Sequence, residues 1–439
     1  MKKRQILNLA WPVMISALLS TTLVTIDMFW IGKLGKLEIA SVSIAGSIMG
    51  IIYPLSLIVS AGTLALIARF KGKDDPVGIE NVIIHSFLAS FILSGLLFVV
   101  LYPLTSNIIS VFKPEPALIA ISSDYLRIMF IGLFFLIPFM VTNSMYYALG
   151  DTLTAMYMGI IANVINIILD PILIFGLLSF PQSGVKGAAI ASVISNFIAL
   201  VISIIILIKK DIISIELIKK VKLSTKWILR IVRVGIPASM QGITRPLTGT
   251  LLYRIVAIYG TSAIAAFGIG VNSLGLMFIY LNGFASATAI LVGQSIGSGN
   301  HRDAVKAVRT SINLGFIIQI FFSIIYFVFA TYIIRIFNSD PEVVRIGSNY
   351  LRIISPIILI VAVNMMFNSA FMGSGDTKPS MITSIISNWF VKLGIAALLT
   401  SVFCFKTMGI WIAIDISVAA EFIILYFWYR KKHWLKREI

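Results

Sequence analysis

The stretch "NVINIILDPILIF", Asn163–Phe175, sets three polar residues inside an otherwise apolar run. Asn163, Asn166 and Asp170 are spaced by three and four, so a helix carries them as one stripe. Pro171 brings no backbone N–H, which leaves the carbonyl of Ile167 without its helical partner and marks a hinge. If the run crosses a membrane, ionised Asp170 costs at least about 2.5 kcal/mol on insertion scales, so its presence asks for a function.

The rest of the chain supports the membrane reading. Of 439 residues, 59% are hydrophobic and 12% charged, where soluble domains carry about a quarter charged. Ser86–Leu104, Gly187–Ile208, Ala263–Leu281 and Ile312–Ile334 contain no charge at all, and each reaches roughly the 20 residues a bilayer helix needs. The first apolar run is long and followed by others, so it reads as a span and not as a cleaved leader. The net charge of +17 does not point to nucleic acid, because the basic residues gather in loops and termini. Cys404 is the single cysteine, and His85, His301 and His433 are scattered, so neither a disulfide nor a zinc site is expected. No phosphate-cradling G-x-x-x-x-G-K-[ST] occurs.

Breaks in hydrophobicity predict twelve spans, starting near Ile6, Ala40, Ile79, Ala117, Thr154 and Gly187, then Ile228, Ala263, Ala304, Val343, Ser380 and Ile410. An even number places both termini on one side. That side collects 23 Lys and Arg against nine on the other, so both termini are expected in the cytoplasm. Residues 1–208 form an N-terminal six-helix lobe and 228–439 a C-terminal one with a basic cytoplasmic tail. Between them, residues 209–227 make a basic linker suited to anionic lipid headgroups or to a solvated tether.

The halves repeat. Adding 225 carries Pro12 to Pro237, Thr63 to Thr288, "YLRI" at Tyr125–Ile128 to Tyr350–Ile353, "GDT" at Gly150–Thr152 to Gly375–Thr377, and Asn163 to Asn388. Near the end of each half the offset becomes 222, with Gly187 on Gly409 and Ser195 on Ser417. Six spans per half give both copies one orientation, a parallel repeat of the kind secondary transporters use. Shared residues serve shared architecture: in each GDT, Gly ends one helix and Asp or Thr caps the next. Gly187, Ala191 and Ser195 suggest a close helix–helix seam.

Residues polar in one copy and apolar in the other are better candidates for chemistry. Asp27 falls on Leu252, Asn166 on Val391, Asp170 on Ile395 and Ser192 on Ile414. All four polar groups lie in the first half. Two carboxylates, an amide oxygen and a hydroxyl form an all-oxygen shell that suits Na⁺ or, with rearranged hydrogen bonds, a proton; two nearby carboxylates need one or the other. Elsewhere, Asp124 is expected to pair with Arg127, Lys392 with Asp415, and Glu421 with basic residues. Arg245 and Gln241 could line a cavity, and Met28, Trp30, Met145, Tyr146 and Met240 could form an adaptable apolar pocket.

With "MFWIGKLG" after Asp27, paired GDT turns and "NIILDPILIF…GVKGAAIAS", nearly the whole chain resembles the MATE (multidrug and toxic compound extrusion) transporters, and within them the prokaryotic DinF-like branch. The resemblance implies an all-α polytopic membrane protein, twelve transmembrane helices in two parallel-repeat six-helix lobes in a V shape. It also implies that the coupling cation binds at Asp27, Asn166, Asp170 and Ser192, where the family usually has Thr at the last position. The C-terminal carboxylates of the other main branch are missing, since Gln241, Asn364 and Asn368 stand there. The expected activity is Na⁺- or H⁺-coupled export of drugs or toxic organic compounds, amphipathic or cationic, by alternating access. The protein is expected to be a monomer in the inner membrane of a prokaryote, in contact with lipid and using no cofactor beyond the coupling ion. Basic residues in the second half keep open a flippase of the same superfamily for lipid-linked oligosaccharides or polyisoprenoids. A channel would need polar stripes in both copies, and an enzyme would need a placed nucleophile or acid–base group; the sequence has neither.

Overall fold

The computed structural model describes residues 3–213, 223–403 and 405–439; Cys404 and the middle of the basic linker, residues 214–222, lie outside them. The described elements are helical. The first half runs α1 Lys3–Gly32, α2 Lys36–Ile52, α3 Leu57–Gly72, α4 Pro76–Leu101, a short α5 Thr105–Ser110, α6 Pro116–Leu149, α7 Thr152–Phe175 and α8 Val185–Lys209. The second half repeats the order with α9 Thr225–Ala257, α10 Thr261–Gly297, α11 His301–Val328, a short α12 Ala330–Phe337 and α13 Pro341–Ser374. It ends with α14 Lys378–Ile385, a π-helical segment Ile386–Leu393, α15 Gly394–Ser401 and α16 Lys406–Arg430. Tyr53–Ser56 joins α2 to α3 as one span.

Among the described residues, eleven spans are long and apolar enough to cross a membrane, each starting within a few residues of its expected position. The twelfth, α9, has the length, but Gln241, Arg245 and the Gly, Pro and Thr residues around them dilute its apolar character. The chain is an all-α membrane protein of twelve helices in two lobes.

The GDT turns divide the two copies. Gly150 and Gly375 both end a helix in the left-handed region, at φ +84° and +77°, as a glycine C-cap requires. Asp151 then caps α7 by accepting the Thr154 N–H at 3.1 Å, and Lys210 binds the same carboxylate. Burial opposes the Asp151 charge, but the Lys210 ammonium and the Thr154 donors outweigh it and hold the carboxyl below its usual 3.8. Asp376 does not cap, contrary to the sequence expectation. Its donor would be residue 379, which is proline and has no N–H to give. Asp376 instead faces Arg437 of the C-terminal tail at 4.0 Å, and burial raises its carboxyl against the pull of Arg437, Lys378 and His433.

Contacts divide the chain into two compact units, Pro12–Gly235 on the one hand and Met1–Trp11 with Ile236–Ile439 on the other. In the first, α6 packs against α3, α4 and α8, and α8 against α7. The small-residue seam forms as expected: Ala191 and Ser195 are buried, and a Cβ on Gly187 would overlap the Leu173 carbonyl of α7. The start of α9 belongs to this unit. His85 Nε2 accepts the Ser224 N–H at 3.0 Å, so Nδ1 carries the proton and donates to the Asn81 carbonyl at 2.7 Å. Trp227 packs beside His85 and Phe70. Asp124 is bound by Lys186 at 3.0 Å and not by Arg127, whose guanidinium lies 5.8 Å from the Tyr102 ring. In the second unit α13 packs against α10, α11 and α16.

Candidate functional site

Helices α1, α7 and α8 bring the four one-copy polar residues of the first lobe together. Asn166 and Asp170, one turn apart on α7, are both buried, each with 1% of its surface exposed. The Asn166 amide meets complementary groups when its nitrogen donates to Asp27 Oδ1 at 3.1 Å and its oxygen accepts from Ser192 Oγ at 3.3 Å and Ser192 N–H at 3.2 Å. Turned over, the nitrogen would face Ser192 Oγ at 3.3 Å and Asp170 Oδ1 at a weak 3.5 Å. Asp27 and Asp170 are near enough for the charge of one to act on the other. Asp170 Oδ2 is buried with no hydrogen-bond partner. The donor set is oxygen throughout, and one oxygen lacks a partner. Such an arrangement is costly unless something else binds there.

The cluster opens on a cavity of about 320 Å³ within the same lobe. Asp27 and Ser192 reach its wall beside Met28, Met49, Tyr53 and Tyr125. Met28 therefore lines it, whereas Trp30 packs edge-on against Phe29 and Phe175 at 5.2 and 6.0 Å, outside the lining. Asn163 is half-buried one turn before Asn166, and Pro171 sits inside the continuous helix α7. Sequence reading missed Asn196 and Tyr53, which also line the cavity. Asn196 donates to the Ser192 carbonyl at 2.7 Å. The repeat would have found both, because their counterparts are Val418 and Phe278.

In the second lobe the matching positions are filled. Leu252 is buried in an apolar core that Ile395 and Ile414 join, built around Phe267, Tyr350 and Trp411. Phe267 stacks on Trp411 with ring centres 5.2 Å apart, and Tyr350 meets Trp411 edge-on at 4.7 Å. Phe267 stands where the first lobe has Val42, and Trp411 where it has Ala189. Val42 lines the first-lobe cavity, so at that position the second lobe has a larger side chain.

The second lobe has its own polar cluster, lower on α16. Arg245 Nη2 lies 3.4 Å from Glu421 Oε1, and Asn368 donates to the same oxygen at 3.2 Å. Lys392, on the π-helical segment, is near enough to feel both Arg245 and Glu421. The expected Lys392–Asp415 ion pair does not form, and Asp415 Oδ1 is buried without a partner. The π-helical turn shifts Lys392 off the face that an α-helical register assigns to it. Gln241, one turn before Arg245 on α9, is half-buried.

The MatE family profile matches residues 12–172 and again 237–398, starting 225 residues apart, which is the offset of the repeat. The chain belongs to the MatE family. Among its MatE relatives, the probable multidrug resistance protein NorM of Thermotoga maritima is 29% identical over the whole of this chain and 94% of that protein. The multidrug export protein MepA of Staphylococcus aureus is 26% identical, covering 87% of this chain and 84% of its own. A crystal structure of MATE in the bent conformation superposes with a TM-score of 0.91 at 25% identity, covering 99% of this chain and 96% of that one. This MatE protein is thus a multi-pass membrane transporter.

Proposed function

We propose that this MatE protein is an antiporter that exports amphipathic or cationic small molecules in exchange for Na⁺ or H⁺. The observation that carries this reading is the first-lobe oxygen cluster, with the unpartnered Asp170 Oδ2 at its centre and Asp27 and Ser192 on the cavity wall. The transported cation is held by Asp27, Asn166, Asp170 and Ser192. A proton or Na⁺ there relieves the repulsion of two close carboxylates, and a cationic substrate in the adjoining cavity competes for the same negative charge. That competition supplies the differential affinity that coupled exchange needs. Relatives solved in bent and in straight conformations match this chain almost equally well, at TM-scores of 0.91 and 0.90. That fits a first span, α1, that bends or shifts when the cluster is neutralised, with Pro171 as a separate hinge in α7. Both termini lie in the cytoplasm of a prokaryotic cell, the chain acts as a monomer among lipids, and no cofactor beyond the exchanged ion is used.

The test is ethidium efflux from proteoliposomes under separately imposed Na⁺ and pH gradients, comparing wild type with Asp27→Asn and Asp170→Asn. One gradient should drive efflux, and both variants should lose it. Saturable Na⁺ binding at constant pH identifies Na⁺ as the ion; titration without Na⁺ dependence identifies H⁺. If wild type ignores ethidium under both gradients, the drug-export reading fails and lipid-linked substrates become the better account.

A further inference from the structure

A second cavity, of about 280 Å³, lies in the second lobe between the short helix α12 and the first turns of α13, at the end of the lobe opposite the chain terminus. Arg335 reaches it from α12, and Arg345 and Arg352, seven residues apart on one face of α13, reach it from the other side. Thr331, Ser339, Ser348 and Asn349 complete the polar part of the lining, which includes no carboxylate. Arg352 Nη2 approaches Thr331 Oγ1 at 3.4 Å. Among the described residues no ion pair involves any of the three arginines. Of the two acids nearby in the chain, Glu342, three residues before Arg345, makes no ion pair with it, and Asp340 accepts the N–H groups of Glu342 and Val343 at 2.9 and 3.0 Å.

Three exposed guanidinium groups share one hollow with no carboxylate in its lining, a set of donors whose planar forks suit the oxygens of a phosphate. The first lobe shows that the repeat does not require it. There Arg335 and Arg345 correspond to Ser110 and Ala120, and only Arg352 has a basic counterpart, Arg127. The internal comparison that separates Asp27 from Leu252 therefore also singles out this pocket.

The surroundings indicate the anion. Helix α12 buries Ala330 and Ile334 and exposes Tyr332, Ile336 and Phe337, with Ile336 79% exposed. An apolar and aromatic face beside a basic pocket at the end of the spans is the arrangement expected at the height of lipid headgroups. It also accounts for three of the nine basic residues found on the side where such residues are scarce.

We propose that Arg335, Arg345 and Arg352 bind the phosphate of an anionic glycerophospholipid, whose acyl chains lie along the exposed face of α12. A free phosphate would meet the same guanidinium groups, so the test must separate the two sources. Native mass spectrometry of the purified full chain, given phosphatidylglycerol or phosphatidylcholine, should show phosphatidylglycerol retained in preference. Retention should fall at least about tenfold in Arg335→Gln/Arg345→Gln, stay intermediate in Arg345→Lys, which keeps the charge but loses the two-pronged fork, and be unchanged in Arg430→Gln at the opposite end. Millimolar inorganic phosphate should not displace the lipid; if it does, the pocket is a free-anion site and the lipid assignment is wrong. Equal retention of the two lipids, or undiminished retention in both pocket variants, overturns the proposal. Because the readout is lipid retention, failure here is distinguishable from failure of ion-coupled export.

Discussion

Around Asn166 the first lobe keeps oxygen atoms beside open space, whereas around Ile395 the second lobe keeps aromatic rings packed on one another. The backbones share a plan, and Tyr125 and Tyr350 occupy the same place in it. In the first lobe Tyr125 borders a cavity; in the second Tyr350 is wedged against Phe267 and Trp411. The exchange of Val42 for Phe267 and of Ala189 for Trp411 accompanies the exchange of Asp27 for Leu252 and Asp170 for Ile395. At the four matched positions charge and volume change together: polar groups stand where there is room for a ligand and hydrocarbon where the room is filled, while Asp415, at the place of the cavity-lining Val193, keeps one buried oxygen without a partner. A buried carboxylate facing a packed aromatic core would have no partner, and a cavity lined only by hydrocarbon would give up packing for nothing.

The comparison can be attacked from its strongest side first. Trp411→Ala removes the centre of the aromatic core and should cost about 3–5 kcal/mol, seen as a lower thermal midpoint in detergent. A stable Trp411→Ala protein would mean that the second lobe does not rely on that core. Asp170→Asn should leave the fold intact and weaken the coupling of efflux to its driving gradient by about 5- to 150-fold, measured in proteoliposomes. Full coupling in that variant would reduce the carboxylates to a structural role. Ser192→Ala takes one hydroxyl from the Asn166 amide and should cost about 1 kcal/mol of cation affinity, while Ser192→Thr should leave it near wild type. Undiminished affinity in Ser192→Ala would show that the backbone N–H of Ser192, and not its hydroxyl, does the holding.

The smallest effect concerns the GDT turns. Lys210→Met should destabilise the protein by less than about 1 kcal/mol at neutral pH, because the ion pair with Asp151 is partly exposed. The Asp151 carboxyl is held below 3.8, so the contribution is present above that pH and is lost as pH falls through the lowered value. Thermal midpoints of wild type and Lys210→Met should therefore converge on acidification; a gap that widens would contradict the pairing.

Much of this was legible in the residues. Twelve apolar runs and a constant offset announced two six-helix halves, and the offset selected Asp27, Asn166, Asp170 and Ser192 without any structure. Asn196 and Tyr53 answer to the same comparison and needed only its wider use. The ion pairs were not legible. Asp124 chose Lys186, from another helix, over Arg127 on its own, and Lys392 was turned away from Asp415 by a π-helical segment that hydrophobic periodicity does not reveal. Asp376 lost its capping role to Pro379, a difference visible in the sequence but decisive only once the missing N–H is placed opposite the carboxylate.

What the sequence determined by itself was the set of spans, the repeat and the identity of the residues that break it, because a bilayer imposes length and polarity on every segment independently. Only the tertiary structure decided that the four oxygens converge beside a cavity, that their counterparts close around Trp411, and that three arginines from two helices share one pocket. Those are distances between side chains on separate helices, set by how small and large residues pack, and no single helix carries that information.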